Sequence, residues 1–273
     1  MINFMLITND PELAHYAEKC GVSRIFVDLE RNGKLERQGH LDTLISSHSM
    51  DDISVIKKQL TSAQLLVRLN PLYHNTKLEI DRAVNSGADW LMLPMYRTAD
   101  EVRNFIKLVN KRARVILLLE TCSAYECLDE VVKIPGIDEI YIGLNDLHLD
   151  MGLNFMFEPL ANGTVDKMVK IISSAGLAFG FGGIARVNEG VIPGEVILAE
   201  HLRLGSSSVI LSRTFHRKSE NASEFKSNLD LKKELGKLLI EGEKLKTRNI
   251  EQINEDHKKL QYVVNQYVAG KPK

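Results

Sequence analysis

Cysteine is scarce: Cys20, Cys122 and Cys127 are the three in 273 residues. So odd and sparse a set argues against a disulfide framework and makes a reducing cytoplasm the expected setting. Long apolar runs are missing too. No window approaches the ~20 residues that cross a bilayer. The opening MINFMLITND has neither the basic start nor the small-residue cleavage site of a signal peptide, so no membrane and no export are expected. Charge of one sign is also lacking, since 35 Lys and Arg face 36 Asp and Glu for a formal net charge of -1. Nothing in that balance recommends nucleic acid or an anionic surface as a partner. With 44% hydrophobic and 26% charged residues, the composition is that of an ordinary globular protein.

What the chain does contain is a succession of short apolar runs separated by helical patterns. FMLIT (4–8), RIFVDLE (24–30), QLLVRLN (64–70), DWLMLPM (89–95), RVILLLE (114–120), EIYIGLND (139–146), LAFGFGG (177–183) and SSVILSRTF (207–215) read as eight strands. A continuous run such as Val115 to Leu119 cannot alternate its faces, so it suits a parallel strand covered on both sides. Helix signals fall between the runs: Asp10-Pro11-Glu12, the capping pattern Thr98-Ala99-Asp100-Glu101, and Gly87 as a stop. Repeated strand-helix units over a length close to the about 250 residues of a typical barrel predict a (β/α)8 TIM barrel over residues 1–215. Residues 216–273 turn to Lys, Glu and Asn and form a charged helical C-terminal extension. There Ile250, Ile253, His257, Leu260, Val264 and Tyr267 step by threes and fours, a seam that needs a partner on its own barrel or on another subunit.

Acids stand at the ends of two neighbouring runs. Glu120 and Asp146 would leave the barrel at its carboxyl end, where two carboxylates can share a hard divalent cation and leave positions open for substrate. Taken singly, each acid is more ordinarily a helix cap. Arg68, near the end of the third run, has the planar fork that grips a carboxylate, and its plainer reading is a salt bridge to Asp28 or Glu30. The long polar loop ERNGKLERQGHLDT after the second run is a second candidate region. In it, His40 is the best candidate base with His48 as competitor, and Glu30, Arg37 and Asp42 are candidates to orient the imidazole or bind substrate. Phe155, Met156 and Phe157 would either cover the mouth or pack on the rim. Gly180, Gly182 and Gly183 permit close backbone approach, with phosphate binding as a lesser possibility. Glu200, His201 and Arg203 read as a structural ion network, and Cys122, with no histidine beside it, as a packed thiol.

In LLVRLNPL, DWLMLPM, LLLETCSAYECL and GLNDLHLDMGLN, taken in that order, the chain resembles the HpcH/HpaI aldolase and citrate lyase β-subunit family over roughly residues 20–215. The resemblance implies a (β/α)8 barrel in which Arg68 holds the carboxylate of a pyruvate-like substrate while Glu120 and Asp146 hold Mg2+ or Mn2+. Aldolases of that family carry a histidine close behind the strand-two acid, whereas here ten residues separate Glu30 from His40. Relatives exchange C-terminal helices between subunits, which implies a homo-oligomer. The activity expected is a metal-dependent carbon–carbon lyase or aldolase on a small 2-oxo acid. An acyl-CoA thioester lyase of the citrate lyase type and a non-catalytic assembly subunit are the alternatives.

Overall fold

The computed structural model describes residues 2–32, 47–216, 219 and 221–270. Eight parallel strands close in sequence order into one barrel, β1 (Asn3–Ile7) to β8 (Ser208–Leu211), with β8 hydrogen-bonded back to β1. Between them run β2 (Arg24–Asp28), β3 (Gln64–Arg68), β4 (Trp90–Leu93), β5 (Arg114–Leu119), β6 (Glu139–Ile142) and β7 (Ala178–Ile184). Closure leaves no strand edge unpaired. Side chains alternate between an inner cluster of Met5, Phe26, Leu66, Trp90, Met92, Ile116, Leu118 and Tyr141 and a larger outer core under the helices. This two-sided burial is why the strands read as unbroken apolar runs.

The amino-terminal floor of the barrel is polar yet closed. Arg24 pairs with Glu139 at 2.6 Å and lies 4.1 Å over the Trp90 ring. Ser208 donates to the other oxygen of Glu139, and the Trp90 indole donates to Gln64 at 2.8 Å. Nearer the middle, β7 bulges between Gly180 and Gly183. The Tyr141 hydroxyl fills the resulting gap, donating to the Gly182 carbonyl at 2.5 Å and accepting from the Ile210 N–H at 3.0 Å. A Cβ at Gly180 would lie 2.6 Å from both Tyr141 and the Ser208 carbonyl, so packing demands this glycine.

Most of the expected strands are shorter than their apolar text, the sixth and eighth most of all. The sixth stops at Ile142, and Asp146 stands in the first turn of the helix Leu144–Asp150 rather than at a strand end. The eighth stops at Leu211, before a short helix Arg213–His216.

The seam of the last helix, Ile250–Ala269, faces its own barrel from His257 onward, while Ile250, expected in that seam, is exposed. Leu260 and Val264 are buried, and His257 meets Glu200 at 3.0 Å. Gln261 donates to the Ala161 carbonyl at 2.9 Å, and Tyr267 packs 4.1 Å from Phe155. Phe155 and Phe157 therefore do not lie across the mouth as a lid. They are buried edge to face and anchor the tail to the segment that follows Asp146.

The expected ion network at the end of helix Gly194–Leu204 contains Glu200 and Arg203, joined by Asp166 and His257, but not His201. His201 is stacked 3.8 Å from Phe181 with its Nδ1 2.8 Å from the Ser206 hydroxyl, and its Nε2 has no partner among the described residues. Burial lowers its pKa to about 3. The folded protein thus keeps His201 neutral while the unfolded chain takes up a proton below the ordinary value near 6.5. This site contributes nothing to pH dependence above that value and destabilises the fold as pH falls from there toward 3, at up to about 1.4 kcal/mol per pH unit. Urea unfolding of a His201→Gln variant is expected to show a shallower loss of stability across that window. An unchanged slope would refute the assignment.

Candidate active site at the barrel mouth

The carboxyl ends of β2, β3 and β5 and the start of helix Leu144–Asp150 bring charged groups together. Asp28 and Arg68 are direct partners in the β2–β3 register. Their side chains meet in a two-pronged pair, with Nε to Oδ1 and Nη2 to Oδ2 both 2.8 Å. Nη1 of Arg68 lies 3.3 Å from Glu30. The plainer reading of Arg68, a salt bridge within the barrel, therefore describes its present contacts. Burial works against the guanidinium charge, but Asp28 and Glu30, with Glu120 beyond them, raise its pKa.

Glu120 follows β5 and is 2% exposed. Its Oε1 accepts the Met95 N–H at 3.0 Å. Burial foremost, then the negative charges of Glu30 and Asp146, raise its pKa well above the ordinary carboxylate range, while Arg68 and the Met95 N–H pull the other way. The charges of both Asp146 and Glu30 thus act on Glu120. Among the described residues, Asp28, Glu30 and Glu120 act on the Arg68 guanidinium and Asp146 acts on Glu120, so this cluster carries an excess of acids.

That excess fits a hard divalent cation, because a cation would relieve the repulsion that now raises the Glu120 pKa. Among the described residues no three His, Cys, Asp or Glu side chains form a metal-holding group. Glu120 and Asp146 could hold such an ion only with water and substrate oxygens at the remaining positions, as Mg2+ sites often do.

His48 is buried beside β2, where its Nδ1 accepts the Asp28 N–H at 3.0 Å. With that lone pair occupied, the neutral ring carries its proton on Nε2. Among the described residues His216 adjoins it; burial first, and then His48, lowers the His216 pKa. Arg37, His40 and Asp42 lie outside the described residues. Cys122 donates to the Asp150 carbonyl at 3.4 Å, and burial followed by Asp150 pushes its thiol pKa up, consistent with an unreactive thiol.

Sequence reasoning missed two residues here, Met95 and Gly143. The first contributes its backbone N–H, and the second its lack of a side chain beside Glu120. The available signals were Pro94, which ends the β4 ladder, and a glycine directly after β6.

A closed parallel barrel with buried acids gathered around an arginine at its carboxyl end has the frame of a (β/α)8 enzyme. The chain belongs to the HpcH/HpaI aldolase/citrate lyase family, whose profile matches residues 3–179. It is 25% identical over 163 residues to a 4-hydroxy-2-oxo-heptane-1,7-dioate aldolase of Salmonella paratyphi A, covering 48% of this chain and 59% of the relative. It is also 25% identical over 141 residues to a 2-keto-3-deoxy-L-rhamnonate aldolase of Escherichia coli O17:K52:H18, covering 40% and 53%. The chain thus spans a little over half the length of the curated relatives it matches. Among solved structures, an HpcH/HpaI aldolase from Desulfitobacterium hafniense DCB-2 superposes with a TM-score of 0.63 at 14% identity, covering 84% of this chain and 93% of that one. The citrate synthase SbnG gives a TM-score of 0.62 at 13% identity, covering 83% and 93%. These likenesses support the fold. No helix among the described residues is long and apolar enough to cross a membrane.

Proposed function

We infer that the protein is a divalent-metal-dependent carbon–carbon lyase that cleaves, or in reverse joins, a small 2-oxo acid of the pyruvate or oxaloacetate type. The observation that carries this reading is the acidic cluster in which buried Glu120 feels the charges of Asp146, Glu30 and Arg68. Family membership and the aldolase relatives agree with it.

Glu120 and Asp146 would hold Mg2+ or Mn2+. When bound, such an ion supplies Lewis-acid stabilisation of the negative charge that forms as the carbon–carbon bond breaks. Arg68 would orient the substrate carboxylate. With Nε and Nη2 engaged by Asp28, the corner it presents is Nη1, loosely held by Glu30 at 3.3 Å. Asp28 and Glu30 keep the guanidinium from swinging and so reduce the orientational freedom lost on binding. His48 acts as a hydrogen-bond donor through Nε2, because a proton on Nδ1 would sacrifice the Asp28 bond. The proton transfer itself is assigned to His40.

The test is to incubate the purified protein with Mg2+ or Mn2+ and either oxaloacetate or pyruvate plus an aldehyde, and to follow pyruvate. Turnover abolished by a chelator and restored by metal is expected. Absence of metal-dependent turnover with both substrate sets would sink the reading.

Residues 216–273 are proposed as an element of homo-oligomerisation on the cytoplasmic protein, through the outward faces that expose Leu239, Ile240, Ile250 and Tyr262. Sedimentation as a monomer at micromolar concentration would contradict this.

A further inference from the structure

Glu120 is held by more than its own strand. The loop after β4 passes beside it, and Met95 in that loop has φ 54°, a left-handed conformation that side-chain-bearing residues rarely adopt. The cost is offset locally by two hydrogen bonds to the segment after β5. The Met95 N–H donates to Glu120 Oε1 at 3.0 Å, and the Thr121 hydroxyl donates to the Tyr96 carbonyl at 3.1 Å. Strain that persists where the surroundings over-determine it is a mark of functional positioning.

On the other side stands Gly143. Its φ of -83° is open to any residue, so conformation does not require glycine there. Space does. A Cβ at this position would lie 2.9 Å from Glu120 Oε2 and 3.0 Å from Glu120 Cβ. Both neighbours belong to a buried side chain that the Met95 N–H already ties at Oε1.

We propose that Met95 and Gly143 are positioning residues that make Glu120 a one-oxygen ligand: the Met95 N–H occupies Oε1, and the bare Gly143 backbone keeps the space beside Oε2 clear for the cation. The proposal rests on the reading of Glu120 as a metal ligand. It adds which oxygen binds and what holds the carboxylate in that pose. Met95 acts through its backbone alone, so its side chain is dispensable, whereas any side chain at 143 intrudes beside the ligating oxygen.

The experiment measures Mn2+ affinity by electron paramagnetic resonance on the intact wild-type chain and on Glu120→Gln, Gly143→Ala and Met95→Gly, with thermal unfolding of each metal-free protein as the folding control. Gly143→Ala is expected to bind Mn2+ about 10–100-fold more weakly, the scale on which residues that orient metal ligands act. Met95→Gly, which keeps the N–H and tolerates positive φ, is expected to stay within about 2-fold of wild type. Wild-type affinity in folded Gly143→Ala, or a loss in Met95→Gly as large as in Gly143→Ala, would overturn the proposal and leave the metal reading intact. No binding by wild type, or no loss in Glu120→Gln, would overturn both. A second measurement needs no variant at position 143. The Met95 amide of the wild-type protein is expected to stay protected from hydrogen exchange on saturation with Mg2+. Deprotection by Mg2+ would mean that both oxygens of Glu120 turn to the metal, which contradicts the proposal.

Discussion

Glu120→Gln is expected to abolish metal-dependent turnover and to weaken Mn2+ binding by more than the about 100-fold upper range seen when only a ligand's supporting partner is removed. Glutamine keeps the size of the side chain and an oxygen able to accept the Met95 N–H, so the barrel should stay intact. What disappears is a negative charge that burial, Glu30 and Asp146 already disfavour. The metal-free variant should therefore unfold at a higher temperature than metal-free wild type, a trade of stability against function common at charged sites. Binding and turnover measured together decide the matter. Unchanged Mn2+ affinity would remove Glu120 from the site.

At the opposite end of the barrel, Arg24→Met should destabilise the fold by about 3–5 kcal/mol, because it leaves the Glu139 carboxylate in the interior without its counter-charge. The two side chains are 7% and 1% exposed, and water cannot replace the lost partner. A double variant, Arg24→Met with Glu139→Leu, should recover much of the loss, since buried ion pairs are often exchangeable for apolar packing of similar volume. Urea unfolding at neutral pH reads both. A single-variant cost under about 1 kcal/mol, the scale of an exposed pair, would show that the floor relaxes to admit solvent.

The barrel was written in the sequence with unusual directness because parallel strands buried on both faces must be apolar along their whole length, and no other local structure explains eight such runs alternating with helices. For the same reason Arg68, Glu120 and Glu30 stood out: a charge at the end of an apolar strand needs an explanation. The text overran the strands where apolar residues continue past the ladder. Leu144 is as buried as any strand residue, yet β6 has its last partner at Ile142 opposite Leu119, so Asp146 comes from a helix. The aromatics after β6 were left open between mouth and rim, because hydrophobicity states that Phe155 will be covered and cannot state by what; Tyr267, more than a hundred positions later, packs against it.

The sequence by itself determined the strand-helix repeat, the end of the barrel at which the acids gather, and a helical tail with one apolar seam, since each depends on periodicity along a local stretch. Only the tertiary structure decided which acid holds Arg68, that His48 lends its lone pair to a backbone N–H, that Met95 and Gly143 frame Glu120, and that the tail lies on its own barrel. Those outcomes depend on distances of about 3 Å between residues far apart in the chain, set by strand register and closure, which residue order does not encode locally.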